Sequence, residues 1–131
     1  MESIDTNVLV RLLVKDDEQQ TRLAETVFRQ ILGVGGVWIS QVVVVETVWV
    51  LRSAYRFDRT SIVEVLGKLL DGEGVIVEQE HLVRAALSAF EKGDADVSDY
   101  LILESARRCE ALPLWTFDRR LSRADGAKHV V

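Results

Sequence analysis

The chain has 131 residues, of which 48% are hydrophobic, and its formal net charge is -5 at pH 7. This length predicts one domain, residues 1–131, and no apolar run approaches the roughly 20 residues that a membrane helix needs. The N-terminus lacks the basic and then apolar layout of a secretory signal and the single cysteine excludes an internal disulfide, so a cytoplasmic protein is expected.

Short β-like runs alternate with helix-length segments along the chain. Five strands are predicted, at Ser3 to Ile4, Val37 to Ile39, Val75 to Val77, Leu114 to Phe117, and within Lys128 to Val131 as an edge strand. Helices are predicted most clearly at residues 18–32, 60–70, 79–92 and 97–110. This alternation favours an α/β fold in which helices cover both faces of a mostly parallel sheet.

The valine-rich segment QVVVVETVWVL, residues 41–51, fits two structures. Its β-branched residues favour a strand, whereas a capping residue, Ser40, and the strand before it favour a buried helix, which we predict. Glu46 is then an anomaly, because an ionised carboxylate is costly to bury among valines unless a positive group meets it. The alternative is that the helix turns this one position to water.

Acidic side chains also stand where predicted strands end or helices begin. Asp5 and Asp118 follow strands, Asp96 precedes a helix, and Asp99 lies in the first turn of that helix. Capping alone would account for each of them. In a parallel sheet, however, such positions converge on one edge, where several carboxylates repel one another unless a cation joins them. The set with Glu46 therefore indicates a site for Mg²⁺ or Mn²⁺, which prefer oxygen ligands.

The charges are polarised along the chain. Residues 71–100 hold eight acidic and two basic side chains, whereas residues 101–131 hold six basic and four acidic ones. A net negative charge is unusual for a protein that binds nucleic acid. Two divalent cations would offset most of it, taking the formal charge from -5 to about -1.

Four segments give the chain a family resemblance. They are IDTNVLVRLL, VVETVWVLRSAY, ADVSDYLI and LWTFDRRL. In this order and spacing they resemble the motif regions of PIN-domain ribonucleases, and most of all the VapC toxins of bacterial toxin–antitoxin pairs. The resemblance covers essentially the whole chain. It implies a three-layer α/β/α sandwich around a mostly parallel sheet of about five strands, with the valine-rich segment as a helix.

The resemblance also implies a set of site residues. The acidic quartet corresponds to Asp5, Glu46, Asp99 and Asp118, with Asp96 at an auxiliary acidic position. Thr116 corresponds to a hydroxyl that orients the first aspartate, and Asn7 to the polar residue after it. We expect Asp5 and Asp99 to bind Mg²⁺ or Mn²⁺ directly, and Glu46 and Asp118 to bind it through water or to complete a second metal site formed with the substrate. Possible contacts to RNA phosphates are Arg11, Arg52, Arg56, Arg119 and Arg120.

The function expected on this basis is that of a metal-dependent endoribonuclease toxin. Its partners would be an RNA substrate, a second copy in a homodimer and an inhibitory VapB-type antitoxin. The alternative is a catalytically silent PIN-like module that only binds RNA or protein, although no carboxylate of the quartet is missing. A phosphoacceptor signalling domain is less favoured, because Glu78 stands where that class needs an aspartate.

Aromatic side chains offer a further possible contact to RNA. An unpaired base could stack on any of Trp49, Tyr55, Tyr100 and Trp115. Because aromatic residues in apolar surroundings more often belong to the core, we expect these four to be buried.

Overall fold

A computed structural model describes all 131 residues as seven helices and five strands. They fall into two compact units, Met1–Glu78 and Gln79–Val131. None of the helices combines the length and the apolar character that crossing a membrane requires.

The first unit contains a three-stranded parallel sheet. Its strands are β1 (Glu2–Ser3), β2 (Val37–Ile39) and β3 (Val75–Val77), and β2 lies between the other two. Its helices are α1 (Thr6–Leu13), α2 (Glu18–Gly33), α3 (Gln41–Ser53) and α4 (Arg59–Leu70). The fully buried side chains of this unit include Leu9, Val37, Ile39, Leu51 and Ile62.

The second unit contains a two-stranded parallel sheet and three helices. The strands are β4 (Leu114–Thr116) and β5 (Ala127–His129), and the helices are α5 (Glu80–Lys92), α6 (Val97–Arg108) and α7 (Arg119–Ser122). Helices α5 and α6 pack together, and their buried side chains include Val83, Leu87, Phe90, Tyr100 and Leu103.

The predicted α/β class and the parallel strands are confirmed, and the five strands pair in two sets, three and two. Strands β2 and β3 have the predicted bounds. The four helices that were predicted most clearly begin and end within two residues of their predicted bounds. Strands β1 and β5 each begin one residue earlier than predicted, and β4 ends at Thr116.

The valine-rich segment is helix α3, capped by Ser40, whose hydroxyl accepts the backbone N–H of Val43 at 3.2 Å. Glu46 is exposed and lies between Val42 and Trp49, which are 66% and 68% exposed. These positions are four and three residues apart and share one face of the helix. The alternative that α3 turns Glu46 to water is therefore confirmed, and the expectation that Trp49 is buried is wrong.

The entry to α6 depends on a glycine. A Cβ at Gly93 would lie 1.9 Å from the hydroxyl oxygen of Tyr100, a buried side chain. That hydroxyl accepts the backbone N–H of Ala95 at 3.3 Å. Gly93 thus leaves the space in which Tyr100 secures the segment leading to α6.

We predict that Gly93→Ala destabilises the protein by about 1–3 kcal/mol, because the methyl group forces Tyr100 to move within a packed core. Gly67→Ala is the matched control: apart from the neighbouring residues and the backbone of α4 itself, no atom lies within 4 Å of its Cβ position, and alanine favours a helix by about 0.5–1 kcal/mol. Urea unfolding curves measure both changes. Equal stability of Gly93→Ala and the wild type would contradict this account.

Candidate functional site

Asp5 lies between β1 and α1 and caps that helix. Its Oδ1 accepts the backbone N–H of Thr6 at 2.7 Å, and the side chain is exposed. The preceding residue, Ile4, is buried. Because Ile4 anchors the chain in the core, Asp5 is presented to solvent where the strand gives way to the helix.

Thr6 connects Asp5 with Glu46. Its backbone donates to Asp5, and its hydroxyl donates to Oε1 of Glu46 at 2.6 Å. The two acidic residues come from different elements, since Glu46 lies in the middle of α3, which packs against α1. One threonine therefore positions both carboxylates.

Both carboxylates line an open depression of about 420 Å³ in the first unit. Asn7, Arg11 and Tyr55 also line it. The structure thus brings together four of the predicted site residues of this unit. The depression presents charged and polar groups to solvent above an apolar floor that includes Val10 and Val50.

Asp96 and Asp99 lie together at the N-terminus of α6. They form a capping box in which Oδ2 of Asp99 accepts the backbone N–H of Asp96 at 3.0 Å. Burial raises the pKa of the Asp99 carboxyl, the hydrogen bond from Asp96 lowers it, and the charges of Asp118 and Asp96 raise it further. The net shift is upward, so Asp99 ionises less readily than a free aspartate.

Asp118 lies after β4 and caps α7. Its Oδ1 accepts the backbone N–H groups of Arg120 and Leu121 at 2.8 and 3.1 Å. The Thr116 hydroxyl accepts the backbone N–H of Asp118 at 2.9 Å. Thr116 therefore fixes the chain at Asp118, whereas its orientation of Asp5 stays a prediction.

The predicted arginines differ in their surroundings. Arg11 forms an ion pair with Asp16 and donates to the Tyr55 hydroxyl at 3.3 Å. Arg52 is half-buried, whereas the side chains at three other predicted positions are exposed, namely Arg56, Arg119 and Arg120. Their contacts to RNA stay predictions.

The carboxylates have donor atoms suited to a divalent cation. In Asp5, Glu46 and Asp118, one oxygen accepts hydrogen bonds from the protein and the other accepts none. No group of three or more histidine, cysteine, aspartate or glutamate side chains is placed to hold a metal ion by itself. Mg²⁺ fits such a donor set, since it usually binds one or two carboxylates and completes its shell with water and substrate phosphate.

Thr6 is missing from the predicted site residues, although the sequence carries a signal for it. A hydroxyl residue directly after a helix-capping aspartate has its side chain at the first turn of the helix, beside that carboxylate. The hydrophobic periodicity of the sequence does not show that α3 brings Glu46 close to Thr6, because that contact depends on how α1 and α3 pack.

Two comparisons with known proteins agree with the predicted family. The model of the PIN domain family matches residues 3–127. A VapC ribonuclease of Aquifex aeolicus (strain VF5) is 26% identical over 124 residues, which is 94% of this chain and 91% of that protein. The match spans both units of the structure.

We predict that Asp99→Asn raises the melting temperature at pH 7 in EDTA. The pKa of the Asp99 carboxyl is higher in the folded protein than in the unfolded chain, where it is about 3.9. The folded protein therefore loses stability as the pH rises from the unfolded-state pKa through the folded-state pKa. Asparagine does not ionise, so the gain should shrink as the pH falls toward about 4. Thermal melts across this pH range measure it.

Asp58→Asn is the control of opposite sign. The backbone N–H of Ser61 lowers the pKa of Asp58, which caps α4. Its ionised form is therefore stabilising, and this substitution should lower the melting temperature at pH 7. An Asp99→Asn variant that is less stable than the wild type at neutral pH would contradict the account of Asp99.

Proposed function

Because the chain belongs to the PIN domain family, we propose that it is a metal-dependent endoribonuclease and the toxin of a toxin–antitoxin pair. The observation that supports this most is the link through Thr6, which holds the carboxylates of Asp5 and Glu46 at one open depression. The VapC ribonuclease relative supports ribonuclease activity. A VapB-type antitoxin as partner belongs to the proposal itself. A homodimer and a single domain of 1–131 are parts of the same proposal.

In this proposal Asp5 and Asp99 would hold a divalent ion, and Glu46 and Asp118 would bind it through water or complete a second site with the substrate. Asp96 is an auxiliary acidic group. The ion, Mg²⁺ or Mn²⁺, would supply a Lewis acid that offsets charge on the phosphodiester and lowers the pKa of water. The upward shift of the Asp99 pKa fits this role, because a nearby cation would stabilise the ionised form.

The other steps fall to side chains of the protein. A carboxylate that does not bind the ion directly, Glu46 or Asp118, orients the attacking water and accepts its proton. Thr6 keeps Glu46 in place for this role by donating its hydroxyl to one carboxylate oxygen. The other oxygen of Glu46 stays available for the water. Arg119 and Arg120, next to Asp118, contact phosphates of the RNA.

RNA cleavage by Asp5→Asn tests the proposal directly. The variant should lose at least about a hundredfold in Mg²⁺-dependent cleavage of a pool of structured RNAs, and EDTA should abolish cleavage by the wild type. Asp17→Asn is the matched control, because Asp17 also caps a helix, accepting the N–H of Gln20 at 3.0 Å. Its cleavage should equal that of the wild type.

Other outcomes of this assay would reject the proposal. If Asp17→Asn and Asp5→Asn lose cleavage equally, helix capping rather than chemistry is what Asp5 provides. If the wild type binds RNA equally with and without Mg²⁺ and cuts none, the silent binding module replaces the nuclease.

Thr6 is a positioning residue, and two substitutions separate its roles. Thr6→Val removes the hydroxyl that donates to Glu46 and should reduce kcat by roughly tenfold to a hundredfold with little change in KM. Thr6→Ser keeps the hydroxyl and should restore most of the rate. A loss of the same size in both variants would show that the hydrogen bond to Glu46 is not what matters.

A further inference from the structure

The two-stranded sheet of the second unit presents an aromatic face to solvent. Trp115 in β4 is 60% exposed and Phe117, just after the strand, is 79% exposed. The two rings stand on either side of Thr116 in the sequence, and both are open to solvent. The expectation that Trp115 is buried is wrong, whereas Tyr100 is buried as expected.

A basic side chain accompanies these rings. Lys128 of β5 lies beside Trp115 in the strand register, and its Nζ is 5.6 Å from the centre of the indole ring. An ammonium group at this distance attracts the face of an aromatic ring. The name aromatic face is used below for Trp115, Phe117 and Lys128.

Positive charge near the aromatic face is not neutralised by the protein. In residues 101–131, Arg107 and Arg123 pair with acidic groups, and Arg108 lies against His81. Besides Arg108, three basic side chains of this region form no ion pair, and they are Arg119, Arg120 and Lys128. Exposed rings next to free cations suit a ligand that offers both flat bases and phosphates.

The backbone under the rings is held in place. The imidazole Nε2 of His129 lies 3.1 Å from the carbonyl oxygen of Phe117, and Thr116 accepts the backbone N–H of Asp118 at 2.9 Å. The aromatic side chains are therefore exposed on a backbone that is already ordered. Binding there would involve little further loss of backbone entropy.

We propose that the aromatic face binds unpaired RNA bases by stacking, with Lys128, Arg119 and Arg120 on the flanking phosphates. The inference rests on the proposed function, because Phe117 directly precedes Asp118. Stacking on Trp115 or Phe117 needs a base with a free face. The aromatic face thereby selects single-stranded segments over duplexes, whose bases are already stacked on one another.

The test measures RNA binding by the full chain carrying Asp5→Asn, so that the RNA is not cut. The probe is a labelled single-stranded oligoribonucleotide of about 12 nucleotides, and the same sequence as a duplex is the second probe. Trp115→Ala and Phe117→Ala should each weaken single-strand binding by between about fivefold and a hundredfold, and change duplex binding little.

Two variants serve as controls. Trp115→Phe keeps a ring on the face and should bind close to the parent. Val34→Ala trims an apolar side chain of similar exposure, 61%, just after α2 in the first unit, and should leave binding unchanged. Circular dichroism and size-exclusion chromatography show whether each variant keeps its fold and its oligomeric state.

Several results would overturn the proposal. One is unchanged single-strand binding in Trp115→Ala and Phe117→Ala, and another is an equal loss of affinity for the single strand and the duplex. The third is a change of oligomeric state without a change of RNA affinity, which would assign the aromatic face to contact with a second copy of the chain. Cleavage by the wild-type chain is scored separately. Normal cleavage with unaffected binding rejects the aromatic face alone, whereas binding that needs Trp115 without any cleavage rejects the nuclease alone.

Discussion

Helix N-termini hold the acidic side chains on which the candidate site depends. Asp5 caps α1, Asp118 caps α7, and Asp99 lies in the first turn of α6, where backbone N–H groups and the helix dipole favour negative charge. Glu78 at the end of β3 likewise accepts the N–H of Gln41, the first residue of α3, at 3.0 Å. Capping and ligand binding are compatible because a carboxylate has two oxygens. The cap occupies one oxygen, and the other can bind a cation.

Glu46 does not lie at a helix end, and a hydrogen bond from another side chain holds it instead. It lies in the middle of α3, with no free backbone N–H groups nearby, and Thr6 takes the place of a cap by donating its hydroxyl. Asp99 shows the limit of this stabilisation, since burial and two neighbouring carboxylates outweigh its hydrogen bond and raise its pKa. A cation bound near Asp99 would offset the repulsion from these carboxylates.

Local signals in the sequence predicted most of the fold, and packing decided the rest. The short apolar runs at β2 and β3 predicted the bounds of both strands, and the capping residue Ser40 favoured a helix over the β propensity of the valines. The aspartates could be placed at element ends for the same reason. The exposure of Trp49 and Trp115 could not be predicted, because hydrophobicity does not show which face of an element lacks a neighbour. The bond from Thr6 to Glu46 joins residues 40 positions apart and has no local signal.

Calorimetric titration with Mn²⁺ tests most directly whether the carboxylates form one metal centre. The proteins to compare are the wild type, Asp5→Asn, Asp99→Asn and the double variant. If Asp5 and Asp99 bind the same ion, each single substitution weakens the same binding event, and the double variant loses less than the sum of the two effects. Unchanged Mn²⁺ affinity in either single variant, or two independent and additive losses, would contradict a shared centre and with it the proposed mechanism.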